Sequence, residues 1–267
     1  MDAVFTTLLG SLVAVTYLAP VSLEAHLFLV GDVVFGGGER VPLLAPLYLV
    51  PVVLAVATYL FRDVLRLAYV VLYGATRRPI PAEDKALFVR VLVTTAIAGS
   101  ISVLLFDIWY ALARDPVIVA WGLVAGAVVL IVSEWYGRRK EESSLPTLRG
   151  AFGIGLSELL ALVPGIGRMT AFLASAVSAG VARKEAYRFS LLVLFPTTLI
   201  AYGRLMAESA TGEMLEVPIL FLLISSALTF VVSLFVLHIL AGTVARSLTR
   251  FALYRLVLGA LMLWFLV

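Results

Sequence analysis

Cysteine is absent from this chain, histidine occurs only twice, and charged residues make up 14% of its 267 positions. The first absence excludes disulfides and thiolate metal sites and leaves the compartment open. The shortage of charge excludes an ordinary soluble domain, which carries about 25% charged and about 45–50% apolar residues. Strict polar–apolar alternation is also missing, which excludes the strands of a membrane barrel. The first residues lack the basic stretch and small-residue cleavage site of a signal peptide, since Met1-Asp2 opens the chain.

What is present is apolar sequence: 62% hydrophobic residues and a mean hydropathy of +1.08. It falls in runs near the length of a bilayer crossing, so the chain reads as an all-α, multi-pass integral membrane protein. The net charge of +3 is then read loop by loop and does not point to nucleic acid. Six spans are expected, at Val41–Phe61, Ala86–Phe106, Pro116–Trp135, Phe189–Leu205, Val217–Leu240 and Phe251–Val267.

Two further apolar regions are too broken to cross once. Val4–Phe35 is interrupted by Pro20 and the polar residues Ser22, Glu24 and His26, and Ala151–Val181 by Pro164-Gly165-Ile166-Gly167-Arg168. Proline stops a helix and glycine permits the turn, so each region is expected to be a re-entrant helical hairpin that enters and leaves on one side. Loop charge agrees. With both hairpins returning, one face receives Arg62, Arg66, Arg77, Arg78, Lys85, Arg138, Arg139, Lys140, Arg149, Arg183, Lys184, Arg188, Arg246 and Arg250, while the other receives only Arg40, Arg114 and Arg204 with the acidic Glu208, Glu213 and Glu216. The positive-inside rule then places both termini outside the cell membrane.

The two broken regions also resemble each other. Gly10–Ser22 and Gly153–Gly165 both run glycine, apolar helix, proline and small polar turn, and the charge pattern has them entering from opposite faces. That is the pattern of inverted repeats within a single membrane domain. The first repeat covers about residues 1–135 with its hairpin at 4–35, and the second about 148–267 with its hairpin at 151–181.

Irregular backbone at membrane depth lines a wet cavity or is buried in protein, so the two tips are the candidate site. The first offers Ser22, Glu24 and His26. The second offers Glu158, Gly165, Gly167, Arg168 and Thr170. A glycine-rich turn feeding a helix N-terminus beside an arginine suits a phosphate or diphosphate. Plainer roles stand beside these. His26 has a second reading as a hydrogen-bonded interior histidine, and Glu158 as the counter-charge of Arg168 or Arg90. Arg90 has one as a snorkelling side chain, Arg138-Arg139-Lys140 as a topology determinant, and His238 as an interfacial or packing residue.

Three stretches carry a family resemblance. PGIGRMTAFLASAVSAGVARKEAYRFSLLVLFP (Pro164–Pro196) resembles the PG-x-SRS segment and downstream RFS of the bacterial undecaprenyl diphosphate phosphatase family, the BacA type. PVSLEAHLFL near the N-terminus is similar to its PVSSxxHL stretch, and FALYRLVLG (Phe251–Gly259) to its F-x-x-YR ending. The stretches occur in the family's order across nearly the whole chain. The resemblance implies six spans with two opposed hairpins and, as substrate, a polyprenyl diphosphate whose terminal phosphate the family removes to recycle the cell-wall lipid carrier. It matches His26 to the family histidine, Ser22 to the first serine after PV and Arg168 to the arginine of SRS.

This chain departs from the family where the chemistry would be done. The family's E-x-x-x-E pair falls on Val13 and Tyr17, its second serine, proposed as nucleophile, on Leu23, and the serines flanking the arginine on Gly167 and Met169. Leucine and valine cannot attack phosphorus, ligate a metal or move a proton. Under a hydrolase reading, Ser22, Glu24, His26 and Glu158 would take over the chemistry, while Arg168, Gly165, Gly167 and Thr170 hold the phosphate. Under a transporter reading the same cradle moves a polyprenyl phosphate across without covalent chemistry. No cofactor or metal is assigned, because the carboxylates a divalent cation would use are the ones lost.

Overall fold

The computed structural model describes residues 3–31, 45–74, 76, 79–211 and 218–266. The end of the first hairpin (32–35), the start of the first expected span (41–44), Arg40, Arg77, Arg78, Glu213, Glu216, Val217 and Val267, and the side chains of Arg204 and Glu208, lie outside the described residues. The described chain is all-α, with only an isolated bridge between Ser143 and Val181 besides its helices.

In chain order the helices are α1 (Ala3–Leu18), α2 (Leu23–Leu29), α3 (Leu49–Tyr59, entered through a 3-10 turn at Ala45–Tyr48), α4 (Phe61–Tyr73), α5 (Ala82–Leu104), α6 (Phe106–Leu112), α7 (Pro116–Gly137), α8 (Leu148–Leu156), α9 (Glu158–Ala161), α10 (Arg168–Ser178), α11 (Arg183–Thr211), α12 (Ile219–Arg246) and α13 (Thr249–Leu266). Within the described residues, α5, α7, the Arg183–Gly203 part of α11 and α12 are long and apolar enough to cross a membrane, and α3 with α4, bent by 84°, forms a fifth candidate. The protein is an all-α integral membrane protein, and its surface agrees: Trp264, Phe265 and Leu104 are about four-fifths exposed while Arg255 is wholly buried. Lipid replaces water on the outside, so charge goes in and grease goes out.

The expected spans shift at their ends. The span expected at Phe189–Leu205 begins earlier, at Arg183, and carries Pro196 inside a 29-residue helix. The span at Ala86–Phe106 starts one turn early and stops at Leu104, before the short α6. The span at Val41–Phe61 ends at the sharp bend into α4.

Both broken regions are broken where the sequence places the break. α1 ends at Leu18 ahead of Pro20, and Ser22 caps α2 by accepting from the Ala25 amide at 3.3 Å. After α9, Gly165 (φ 98°) and Gly167 (φ 79°) take left-handed conformations that only glycine adopts without strain, and α10 starts at Arg168. The two breaks meet. Arg255 on α13 donates to Pro20 O and Val21 O from one break, to Gly165 O from the other at 2.6 Å, to Thr170 Oγ1, and to Leu123 O and Gly122 O on α7. Gly126 makes the space, because a Cβ there would stand 1.9 Å from Arg255 Nη2.

The packing repeats with partners exchanged. α1 packs on α12 as α8 packs on α5, and α3 packs on α12 as α11 packs on α5, while α7 with α13 and α3 with α11 pair across the middle. At one end of the molecule Glu134 (α7) collects Arg138, Arg183, the Ser247 hydroxyl and the first amides of α13. There, too, Asp63 (α4) takes both arms of Arg188 (α11) and pairs with Arg66, which reaches Asp84 on α5.

Arg255 therefore ties both breaks to α7 and α13. Replacing it with methionine orphans several buried carbonyls, at about 1–3 kcal/mol each when left unpaired. Arg255→Met should lower the thermal unfolding midpoint in detergent by roughly 5 °C or more. Arg255→Lys should recover only part of that, because an ammonium lacks the planar fork.

Candidate functional site

At the meeting of the two breaks lies a cavity of about 20 Å³, lined by Thr16, Tyr17, Ala19, Val21, Leu23, Glu24, Trp109, Ala161, Gly167, Arg168, Met169 and Tyr202.

Arg168 dominates the wall. It is the first residue of α10, where the helix dipole is positive and first-turn amides lack intrahelical partners. Its Nε donates to Glu158 Oε1 at 2.6 Å, and its Nη2 lies 3.4 Å from Ser102 Oγ. The Ser102 hydroxyl in turn lies 2.7 Å from the same Glu158 oxygen. The guanidinium carbon sits 4.8 Å over the Tyr202 ring. Two atoms of this pair are buried without a hydrogen-bond partner among the described residues: Arg168 Nη1 and Glu158 Oε2. The guanidinium also faces the Tyr17 phenol, and an arm without a carboxylate partner is a donor that suits an anion.

Three aromatic rings complete the wall. Tyr202 receives Tyr17 edge-on at 6.2 Å and Trp109 edge-on at 5.7 Å. The Tyr17 hydroxyl lies 2.6 Å from Thr198 Oγ1, and Thr198 Oγ1 also lies within bonding distance of Leu194 O. Thr198 has one proton and spends it on that carbonyl, so Tyr17 must be the donor in their bond. The phenol oxygen is left as an acceptor.

The sequence-expected residues divide sharply. Glu24, Gly167 and Arg168 line the cavity. Glu158 lies beneath Arg168 as its counter-charge, while Arg90 instead donates to Pro146 O and Ala86 O. Ser22 is wholly buried behind Glu24, donating to Glu24 Oε2 at 2.8 Å. Its hydroxyl thus caps α2 and meets the carboxylate that faces the cavity. His26 is not among the residues that line the cavity. Nδ1 faces Ser22 O, and Nε2 lies 2.6 Å from Tyr254 OH on α13, with the two rings stacked. A carbonyl only accepts, so Nδ1 carries the proton and Nε2 accepts from the tyrosine. Thr170 and Gly165 also turn away from the cavity, since the threonine hydroxyl and the glycine carbonyl are both taken by Arg255.

Sequence reading missed Trp109, Tyr202, Ser102 and Arg255 as parts of the site. The aromatic pair sits in ordinary apolar runs with no motif, and Arg255 looked like one more cation beside a span. The positions to which the sequence resemblance assigns the family's absent groups behave differently: Tyr17, Leu23, Gly167 and Met169 all line this one cavity, and Val13 is buried one turn before Tyr17. A divalent cation does not fit the donors. Glu24 is the one carboxylate on the wall, Glu158 belongs to Arg168, and no cluster of three or more metal-ligating side chains occurs among the described residues.

Comparison with known proteins identifies the family. Residues 6–261 match the family described as Bacitracin resistance protein BacA. An undecaprenyl-diphosphatase of Rubrobacter xylanophilus is 30% identical over 269 residues, covering 98% of this chain and 97% of that protein. One of Rhizorhabdus wittichii is 32% identical over 273 residues, covering 100% and 98%. One of Novosphingobium aromaticivorans is 28% identical over 274 residues.

The Arg168–Glu158 pair makes a stability prediction independent of any ligand. Glu158→Gln leaves a buried charge uncompensated and should cost about 3–5 kcal/mol. The double variant Glu158→Gln/Arg168→Met should regain most of that loss in thermal or denaturant unfolding, because it removes the orphaned charge as well.

Proposed function

Because this chain belongs to the BacA family, we propose that its cavity takes the head group of a polyprenyl phosphate or diphosphate of the undecaprenyl type, presented from the bilayer by its own lipid tail. The observation that carries this reading is the free Nη1 arm of Arg168, set at the start of α10 on a wall shared with Tyr17, Leu23, Gly167 and Met169. Arg168 takes the phosphate oxygens, and the positive end of α10 adds to the attraction. Glu158 and Ser102 aim the guanidinium.

Relatives named undecaprenyl-diphosphatase are hydrolases by that name; in this chain the resemblance keeps an arginine at Arg168 but puts Leu23, Val13 and Tyr17 where it expects a nucleophile and two carboxylates. Phosphoryl transfer is mostly positioning and charge stabilisation, so some rate survives on Arg168 alone. A water activated by Glu24 is the remaining route. Loss of nucleophile and acid–base groups together costs several orders of magnitude, so hydrolysis by the family's route is reduced or lost.

A second reading, transport of the phosphorylated lipid between leaflets, is favoured by the partner-exchanged packing of the two halves. Residues 1–135 and 148–267 then form inverted repeats whose hairpin tips meet at the site, and alternating access needs no covalent step. In this arrangement the Glu134 and Asp63 clusters mark the inner face of the cell membrane and both termini lie outside.

Phosphate release from undecaprenyl diphosphate, measured in detergent with and without magnesium or calcium, tests the first reading. Release should fall at least about a thousandfold below that of a relative carrying the E-x-x-x-E pair. Binding of the lipid should weaken about tenfold or more in Arg168→Ala. Full-rate release, or binding indifferent to Arg168, would sink the proposal. Reinstating the missing groups together, as Val13→Glu/Tyr17→Glu/Leu23→Ser, should raise release above that of the unaltered chain.

A further inference from the structure

The sequence of α4, FRDVLRLAYVVLY, is apolar along one exposed side. Phe61, Leu65, Tyr69 and Leu72 recur at helical spacing and form a single stripe. All four are exposed, Phe61 by 59% and Leu72 by 70%, whereas Asp63 and Val70 on the opposite side are buried. Arg62 stands at the edge of the stripe, exposed and without an ion pair among the described residues.

Direction and height separate α4 from the spans. It leaves α3 through a bend of 84° at Leu60, so it runs across the line that α3 follows. Its ion pairs fix its level. Asp63 accepts from Arg188 in the second turn of α11, and Arg66 reaches Asp84 in the first turn of α5. α4 therefore stays beside the starts of two spanning helices and does not descend along them. A second marker sets the membrane boundary at the same end. Arg183, in the first turn of α11, pairs with Glu134 near the end of α7. Next to Glu134 come Trp135 and Tyr136, both exposed, with Arg139 over the first ring at 3.5 Å and Lys140 over the second at 4.6 Å. Exposed tryptophan and tyrosine beside cations belong at the head-group level of a bilayer. Tyr69 and Tyr73, their rings 4.6 Å apart, extend that belt onto α4.

We infer that α4 is an interfacial helix that binds anionic phospholipid. It lies in the membrane plane, sinks the Phe61–Leu65–Tyr69–Leu72 stripe among the upper acyl chains, and sets Arg62 and the neighbouring Lys85 against lipid phosphates. The crossing expected at Val41–Phe61 then ends at the bend, and α4 is no part of it. Facing water, the stripe would be an open apolar patch; in the interface lipid covers it and Arg62 snorkels to the head groups. Charge selects the lipid. Among the described residues at this end, exposed cations, including Arg62, Lys85, Arg139 and Lys140, outnumber the exposed carboxylates Glu83, Glu141 and Glu142. This surface is separate from the cavity at the hairpin tips, and the inference holds whatever head group enters there.

The chain has no cysteine, so single cysteines carry a test on the full-length protein. Leu65→Cys and Leu72→Cys, each nitroxide-labelled, are placed in nanodiscs of phosphatidylcholine with phosphatidylglycerol, beside Val231→Cys on the exposed side of α12 and Glu142→Cys in an exposed loop. The α4 labels should meet oxygen about as often as the Val231 label, and a water-soluble nickel chelate about threefold less than the Glu142 label. In native mass spectrometry the protein should retain phosphatidylglycerol over phosphatidylcholine. Arg62→Glu/Lys85→Glu should cut that preference about twofold or more, and Arg114→Glu, on the face poor in cations, should leave it unchanged. Nickel reaching the α4 labels as freely as the Glu142 label puts the stripe in water and overturns the inference. Spin–spin broadening between copies, or labels closed to both reagents, overturns it by giving the stripe to protein. Equal retention of the two lipids, or a preference indifferent to Arg62 and Lys85, removes the anionic phospholipid from α4.

Discussion

A guanidinium with no carboxylate partner among the described residues sits at the centre of this protein, and the rest is arranged around it. Arg255 spends its donors on carbonyls from both helix breaks and from α7, and on one threonine hydroxyl. A charge without a counter-ion is expensive at membrane depth, and here backbone dipoles replace water around it. The carbonyls of Pro20, Val21 and Gly165 are of the kind that broken helices leave without partners. Each problem therefore solves the other: the breaks supply acceptors that an intact helix does not have, and the arginine supplies the donors that make a break tolerable in lipid.

The candidate site follows from that arrangement. Once Pro20-Val21 and Gly165 are drawn to one point, Glu24 and Arg168 stand on the wall of one cavity, each at the start of the half-helix that follows its break. α11 closes the other side with Tyr202 and Thr198, one stacked on the arginine and one holding Tyr17. The pieces that hold the site are thus distinct from the pieces that line it, although both come from the same few turns of chain. His26 and Thr170 belong to the first group, bracing α2 and the second tip against α13.

How much of this was legible in the sequence depended on the range of the signal. Pro20 and the Gly165–Gly167 turn are local, and they placed both breaks correctly because proline and left-handed glycine act on the backbone itself. Arg168 was found for the same reason, standing next to its turn. The span limits were less legible. Apolarity marks where a helix meets lipid, while α11 continues to Arg183 because Asp63 and Glu134 on other helices pair its cations. Ser22, His26 and Thr170 were assigned by motif, and their side chains point where tertiary partners pull them. Tyr202 and Trp109 left no trace at all, since an aromatic ring in an apolar run has the same pattern whether it faces a ligand, lipid or another ring.

The lone positive charge of Arg255 has an electrical consequence. Moving one elementary charge through the full membrane field is worth about 2.3 kcal/mol per 100 mV. A rearrangement that carried α13 along the membrane normal would transport that charge and register as a current. One in which the halves rock about a stationary α13 would leave it in place and be electrically silent as far as this residue is concerned. The clasp on both breaks favours the second, because it ties the arginine to the point where the two breaks meet, so the voltage across the bilayer would have little purchase on this chain through Arg255.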